Sequence, residues 1–470
     1  MEPDASISVD TPGIKAGRLG ASDYIARFQE ASPPFSDSQA VTEASRCHYC
    51  FDAPCSKACP AGIDVPCFVH RIAQHNTVGA AEAILSENVL GGTCSRVCPT
   101  ENLCEQACVR NAQEGCAVQI KKLQRFATDD ALARPPAKPF FERKPATGKR
   151  VAVVGAGPAG LTAAHSLAQQ GHEVVIFDAR PKPGGLNEYG LAGYKTSSQF
   201  TQQEIEWLLS IGGIELQQGH VLGRDITLTQ LQASFDAVFL ALGLVGTNAL
   251  SLEGENLGGV RDAVDFIAEL RQSEHKSRVA VGRSVVVLGG GMTAIDAAVQ
   301  AKLLGAREVT LVYRRGEEAF KASAHEREWA QINGVKVRYW SSPKALHGHE
   351  GNVTGISFSL MHQQGSALAE TGETYCLEAD MVLKAIGQCF DAGPLEEKIA
   401  LKQGRIAVDE HGRTSLAGVW AGGDCCADGL DLTVDAVRQG KLAAQSIHHA
   451  LTVSLPHLDK SASPRECTHG

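Results

Sequence analysis

The sequence predicts an α + α/β chain, with an α-helical N-terminal module followed by two Rossmann-like domains. Ten of the fifteen cysteines fall between Cys47 and Cys116, in a stretch whose apolar spacing is helical over 65–74, 78–85 and 120–127. Beyond a Pro-, Lys- and Arg-rich linker at 134–148, apolar strands alternate with glycine turns and alanine-rich helices, the pattern of a doubly wound parallel sheet. That unit occurs twice. VAVVGAGPAG, ending at Gly160, leads into a helix through Ala168 and a strand EVVIFD ending at Asp178. SVVVLGGG, ending at Gly291, leads into a helix through Leu304 and a strand EVTLVY ending at Tyr313.

Composition agrees with several domains. At 470 residues the chain exceeds what one hydrophobic core supports, so two to four domains are expected. With 43% hydrophobic and 21% charged residues it is globular, and a net charge of -9 repels nucleic-acid phosphates and anionic membranes. Neither nucleic acid nor a membrane is expected as a partner. No apolar run reaches the roughly 18 residues of a membrane span, and the N-terminus lacks a secretory pattern. A cytoplasmic enzyme is therefore expected, whose clustered thiols act as ligands because that compartment keeps them reduced.

The first cysteine run is C-x2-C-x4-C-x3-C-P, formed by Cys47, Cys50, Cys55, Cys59 and Pro60. The second comprises Cys94, Cys98 followed by Pro99, Cys104 and Cys108. Closely spaced thiolates followed by proline are a ferredoxin-like signature for 4Fe-4S cubanes; two structural zinc sites are the alternative, since zinc held by four cysteines uses similar spacings. Cys67, Cys116, Cys376, Cys389 and Cys467 stand apart and are expected to be buried structural residues. The adjacent Cys425 and Cys426 lack redox spacing and are expected to pack.

Gly155, Gly157 and Gly160 satisfy G-x-G-x-x-G directly after a strand, and Asp178 closes the next strand where a carboxylate can accept from a ribose 2'-hydroxyl. A glycine-rich packing turn is the plainer reading. In the second unit Gly289 and Gly291 keep the turn and Ala294 takes the third position, which the fingerprint allows. Arg314 and Arg315 stand after the second strand in place of an acid. Two guanidinium groups at that point suit a 2'-phosphate and favour NADP over NAD, unless they are simply solvated. Near the C-terminus, GVWAGGDCC places Asp424 after a short strand and a glycine pair, ahead of a helical TVDAVRQGKLAAQSI. An acid there can bind a sugar hydroxyl beside a helix N-terminus, although a plain turn also uses Gly-Gly-Asp.

Taken together, CHYCFDAPCSKACP, LGGTCSRVCPTENLCEQAC, VAVVGAGPAGL with GGLNEYG, AIGQ, and GVWAGGDC with DLTVDAVRQGK resemble the NAD(P)H-oxidising half of dihydropyrimidine dehydrogenases and the related small subunit of bacterial glutamate synthase. The resemblance covers nearly the whole chain, and the cysteine wording is nearer to the pyrimidine enzymes. It implies Cys47, Cys50, Cys55 and Cys108 as ligands of one 4Fe-4S cluster, and Cys59, Cys98, Cys104 and Gln124 as ligands of the other. Cys94 matches a non-ligand, and Gln124 rests on the resemblance alone, glutamine being a poor iron ligand. It also implies FAD contacts at Gly155, Gly157, Gly160, Asp178, Gly185, Leu186, Asp424 and Thr433, and 2'-phosphate contacts at Arg314 and Lys321. Met292 departs from the Asn or Asp that relatives carry in the second glycine turn. Bacterial relatives are NAD-linked, so the nucleotide stays open as NAD(P)H.

The resemblance implies an order of domains: 1–140 binding two 4Fe-4S clusters, 141–282 the first part of an FAD domain, 283–387 an NAD(P) domain, 388–450 the second part of the FAD domain, and 451–470 a tail. It implies hydride transfer from NAD(P)H to FAD, then single electrons through the clusters to an FMN-containing dihydropyrimidine dehydrogenase catalytic subunit, in a hetero-oligomer that interconverts uracil or thymine with their dihydro forms. No catalytic acid or base is required in this chain. The alternatives are a glutamate synthase small subunit and a non-catalytic scaffold.

Overall fold

The computed structural model describes residues 13–134, 138–395 and 398–452. Eight α-helices precede the linker: α1 (Ala21–Arg27), α2 (Asp37–Ala44), α3 (Pro54–Lys57), α4 (Val65–Ala73), α5 (Thr77–Leu85), α6 (Gly91–Val97), α7 (Val109–Glu114) and α8 (Ile120–Ala133). Asp64 caps α4 by accepting from the Cys67 N–H, and Val65, Phe68, Val69 and Ile72 form its buried face at i, i+3, i+4 and i+7. That face meets Ile84 and Leu123 in a core that the ligand-run cysteines also join.

The strands follow as β1 (Arg150–Val154), β2 (Glu173–Asp178), β3 (Ile214–Gln218), β4 (Ala237–Leu240), β5 (Gly246–Thr247), β6 (Val260–Asp262), β7 (Ser284–Leu288), β8 (Glu308–Val312), β9 (Lys336–Arg338), β10 (Ser341–His349), β11 (Asn352–Gln364), β12 (Ala367–Glu378), β13 (Met381–Lys384), β14 (Gln388–Cys389), β15 (Leu401–Lys402), β16 (Arg405–Ile406) and β17 (Val419–Ala421). Two five-stranded sheets have the orders β17-β4-β1-β2-β3 and β6-β13-β7-β8-β9, and every pairing in them is parallel. Their central strands β1 and β7 are apolar and buried at every position after the first, because both faces of each sheet are covered. An antiparallel sheet, β10-β11-β12, leans on the second of them through Ile356 and Phe358.

The helices after the linker are α9 (Pro158–Gln169), α10 (Leu186–Tyr189), α11 (Ser198–Leu209), α12 (Leu228–Ser234), α13 (Ala263–Gln272), α14 (Met292–Leu303), α15 (Ala324–Ile332) and α16 (Thr433–Thr452). α9 and α14 each start directly from a glycine turn. α16 crosses α9 so closely that a Cβ on Gly440 would lie 2.3 Å from the Ala159 carbonyl oxygen.

Some expectations need correction. The chain enters the second sheet well before residue 283: β6 pairs with β13, and Phe266, Ile267 and Leu270 of α13 belong to the core of that unit. The first described residues do not belong to the cysteine module either, since Lys15 bridges to Val281 and Tyr24 is buried in the same second-unit core. Apolar contact, which sequence order does not encode, decides both. Cys116, Cys376 and Cys389 are exposed and Cys67 is partly so, against the expected burial, because none of these side chains turns into a core. Cys425 and Cys426 are fully buried. Cys467 and residues 453–470 of the tail lie outside the described residues. Among the described residues no helix is long and apolar enough to cross a membrane.

Replacing Gly440 by Ala is expected to lower stability by about 1–2 kcal/mol, since overpacking against backbone outweighs the gain in helix propensity. Urea unfolding checks this, with Gly193→Ala as the control because no atom lies within 4 Å of its added carbon.

Candidate dinucleotide and iron-sulfur sites

The first glycine turn has three positions with three different reasons for glycine. Gly155 has φ +105°, and a Cβ there would meet the Ala241 carbonyl oxygen at 2.2 Å. A Cβ on Gly160 would lie 1.9 Å from the Gly155 oxygen, so α9 can pack on β1 only without one. Gly157 caps α9, and the one atom near its ideal Cβ is the Gly185 Cα at 3.9 Å. Space above a helix N-terminus, bounded by a second glycine backbone, is what a pyrophosphate needs. Gly289, with φ +147°, and Gly291 repeat the arrangement, and nothing lies within 4 Å of a Cβ on Gly291.

Asp178 ends β2 with its carboxylate turned back on the turn. Its Oδ2 accepts from the Ala156 N–H at 2.6 Å and its Oδ1 from the Arg180 N–H at 2.8 Å, while burial pushes its carboxyl above the ordinary range. It therefore ties the glycine turn to the end of β2. Gly185 caps the short helix α10 that begins with Leu186. Asn187, next in that helix, accepts from the Thr433 hydroxyl at 2.8 Å. The bond joins the start of α16 to the 185–187 loop, a contact that spacing does not signal. Asp424 follows β17, its half-buried carboxylate without a hydrogen-bond partner among the described residues, and desolvation, with Asp431 nearby, pushes its carboxyl up to about 6. An unpartnered carboxylate beside an open glycine turn fits a bound FAD, whose ribityl or ribose hydroxyls are donors.

In the second unit Ala294 is fully buried where the first unit has Gly160. The backbone doubles back beside the turn: the Lys321 N–H donates to the Gly290 oxygen at 2.8 Å. Arg314, Arg315 and Lys321 are all exposed, and none forms an ion pair or side-chain hydrogen bond among the described residues. Three such cations after β8 suit an anionic group on the nucleotide.

Thiols of the two runs lie close enough to oppose one another's ionisation. Burial, then proximity to Cys108 and Cys50, raises Cys47; burial, then Cys47 and Cys108, pushes Cys55 up to about 11. Burial pushes Cys98 up to about 12 and Cys104 well above its usual range, and Cys59 adds to both. Buried thiols that oppose one another's ionisation become thiolates when iron supplies compensating positive charge, so the donor sets fit clusters. Among the described residues no group of three His, Cys, Asp or Glu side chains is placed to hold a single metal ion. Gln124 is buried on α8, and its Nε2 donates to the Gly91 oxygen at 2.7 Å, which leaves Oε1 as the atom able to face a metal. Cys94, implied as a non-ligand, is also buried and lies near Cys59 and Cys98. The second thiol group adjoins the first Rossmann unit, because buried Glu204 of α11 accepts from the Thr93 N–H at 3.0 Å and from its hydroxyl.

Comparison with known proteins follows the same division. Residues 149–440 match the family model described as pyridine nucleotide-disulphide oxidoreductase, and residues 24–135 match that described as dihydropyrimidine dehydrogenase domain II, 4Fe-4S cluster. The chain is 35% identical to the NAD-dependent dihydropyrimidine dehydrogenase subunit PreT of Salmonella typhimurium, over 90% of this chain and 97% of that one. It is 34% identical to the glutamate synthase [NADPH] small chain of Escherichia coli, over 91% and 94%. The structure of Mycobacterium tuberculosis FprA in complex with NADPH superposes with a TM-score of 0.54 at 20% identity, over 65% of this chain and 84% of that one, which shows a shared fold.

The unpartnered Asp424 generates a pH prediction. Its carboxyl titrates near 6 when folded and near 4 when unfolded, so the charged form opposes folding; the penalty is full above pH 6 and gone below about 4. Asp424→Asn is expected to stabilise the flavin-free protein by about 1–3 kcal/mol at pH 8 and by nothing near pH 3.5, while weakening flavin retention. Denaturant midpoints at the two pH values and flavin fluorescence on dilution check both halves.

Proposed function

The chain belongs to the pyridine nucleotide-disulphide oxidoreductase family and carries a 4Fe-4S domain of the dihydropyrimidine dehydrogenase type, and from that premise we propose that it is the NAD(P)H-oxidising, electron-transferring subunit of a dihydropyrimidine dehydrogenase. It is an NAD(P)-dependent oxidoreductase with FAD/NAD(P) and 4Fe-4S domains. The finer reading adds two clusters, the residues that hold them, and an FMN-containing partner that reduces uracil or thymine. The observation that carries it is the attachment of a cysteine-rich module to the first glycine-turn unit through the Glu204–Thr93 contact. FAD held there would supply the chemistry that accepts a hydride from NAD(P)H as two electrons and a proton and gives the two electrons up singly, and clusters held by the cysteine module would carry those electrons.

The chain's own residues bind and orient. Gly157 and the N-terminus of α9 receive the pyrophosphate, Asp178 accepts from the ribose, and Asp424 with Thr433 holds the far end of the flavin near Leu186. Gly289 and Gly291 receive the nicotinamide dinucleotide. Cys47, Cys50, Cys55 and Cys108 hold one cluster; Cys59, Cys98, Cys104 and Gln124 hold the other, next to the flavin unit. The segment from 141 up to the start of β6, together with 388–450, forms the FAD-binding domain, while β6 and α13 belong with the NAD(P)-binding domain. The 34% identity to a glutamate synthase small chain supports a second reading, in which the partner is a glutamate synthase large subunit.

The test is to purify the chain and measure its content and its electron acceptors. Iron and acid-labile sulfide are expected at about eight each per chain, as two cubanes require; stoichiometric zinc without sulfide refutes the clusters. Alone, the chain should reduce a dye with NAD(P)H and leave uracil and thymine untouched until an FMN-containing partner is added. Reduction of pyrimidines by the isolated chain, or coupling to glutamine and 2-oxoglutarate instead, overturns the pyrimidine reading.

Nucleotide choice has its own test. If Arg314 pairs with a 2'-phosphate, Arg314→Ala raises KM for NADPH by about tenfold or more, the worth of a lost charge-assisted bond, and hardly alters KM for NADH. Equal changes remove that role.

A further inference from the structure

Between α10 and α11 the chain runs through 190–197 without regular structure, so its backbone carbonyls need donors from elsewhere. One side chain of the second unit supplies several of them. Arg271, buried at the end of α13, donates from Nε to the Glu188 oxygen at 2.5 Å, from Nη1 to the Leu191 and Thr196 oxygens at 3.0 and 2.8 Å, and from Nη2 to the Asn187 oxygen at 3.0 Å. A planar guanidinium can satisfy four carbonyls in fixed directions, which a lysine ammonium cannot. The same segment reaches the other way through Lys195, whose Nζ lies 2.7 Å from Asp296 of α14 and 2.6 Å from Glu326 of α15. The Tyr194 hydroxyl donates to Asp296 at 2.9 Å, and the Gly193 N–H donates to Gln300 at 3.2 Å. Ala192 and Tyr194 are buried in the core of the second unit, whereas Asn187, at the start of the segment, is bonded to Thr433 of the first.

We propose that Arg271 and Lys195 are positioning residues for hydride transfer, holding 186–197 as a strut that fixes the nicotinamide site of the second unit against the flavin site of the first. The proposal rests on the assignment of Gly185, Leu186 and Thr433 to the flavin. Rotating one unit on the other would pull Lys195 from the buried Asp296 and the half-buried Glu326 and strand the carbonyls that Arg271 serves, and breaking a buried charge pair is strongly unfavourable. The two nucleotide sites therefore keep one relation whether or not they are filled. Hydride transfer depends steeply on the separation of the reacting atoms, so the strut sets a rate, and neither Arg271 nor Lys195 needs to touch a cofactor.

The test compares the whole chain with Arg271→Met and Tyr194→Phe, the second deleting one hydroxyl from the same clasp in case the first does not fold. Hydrogen exchange by mass spectrometry is read on flavin-free protein, so it does not depend on turnover. Expected is faster exchange of the amides in 187–197 with unchanged protection in β1 and β7. On flavin-loaded protein, with flavin content measured, stopped-flow reduction by NADH is expected to slow by about a hundredfold in Arg271→Met, the scale of a misplacement of roughly 1 Å, and less in Tyr194→Phe. NADH deuterated at the transferred position should show a larger isotope effect in the variants, which a purely structural loss of folded protein would not produce. Wild-type reduction rates and isotope effects in both variants at full flavin content overturn the proposal, as does unchanged exchange across 187–197. A wild-type chain that takes up no flavin refutes the flavin assignment instead, and the exchange measurement then decides the strut on its own.

Discussion

Three residues of strand hold the proposed flavin site together. Val419–Ala421 pairs in parallel with β4, and this short ladder returns the chain to the first sheet after it has built the whole of the second. Asp424 and the start of α16 follow immediately, so a carboxylate and a helix N-terminus distant in sequence arrive opposite the Gly155–Gly160 turn. α16 then lies across α9 at a separation that a side chain at Gly440 would prevent. Remove the pairing, and Asp424 has no reason to follow the first sheet, nor Thr433 to reach Asn187.

The fold leaves polar groups unpaired in the places where the sequence expects ligands. Among the described residues, the half-buried Asp424 carboxylate has no hydrogen-bond donor, the cations of Arg314, Arg315 and Lys321 have no acids paired with them, and buried thiols crowd one another. Glu188, Asp296 and Arg271, by contrast, each have several partners. A folded chain tolerates an unmet buried charge only at a cost, and bound cofactors relieve it.

The joints between parts are polar where motion would be harmful. Glu204 joins the cysteine module to the first unit through Thr93, with Arg96 stacked on Phe200 alongside. Lys195 and Arg271 join the first unit to the second. Apolar faces could slide, whereas directional bonds to buried carbonyls and carboxylates admit one arrangement.

The periodicities of the sequence determined the helical module and both strand–turn–helix units with their glycine turns, because those depend on neighbours a few residues apart. The two cysteine runs and the acid at the end of β2 were legible for the same reason. Tertiary structure alone decided that 13–28 packs on the second unit, that β6 and α13 belong there, and that Cys116, Cys376 and Cys389 face solvent. It alone showed Arg271 and Lys195, which in sequence are an arginine near a helix end and a lysine in a loop. Their roles come from partners far along the chain, and a pairing made by folding leaves no local spacing to read.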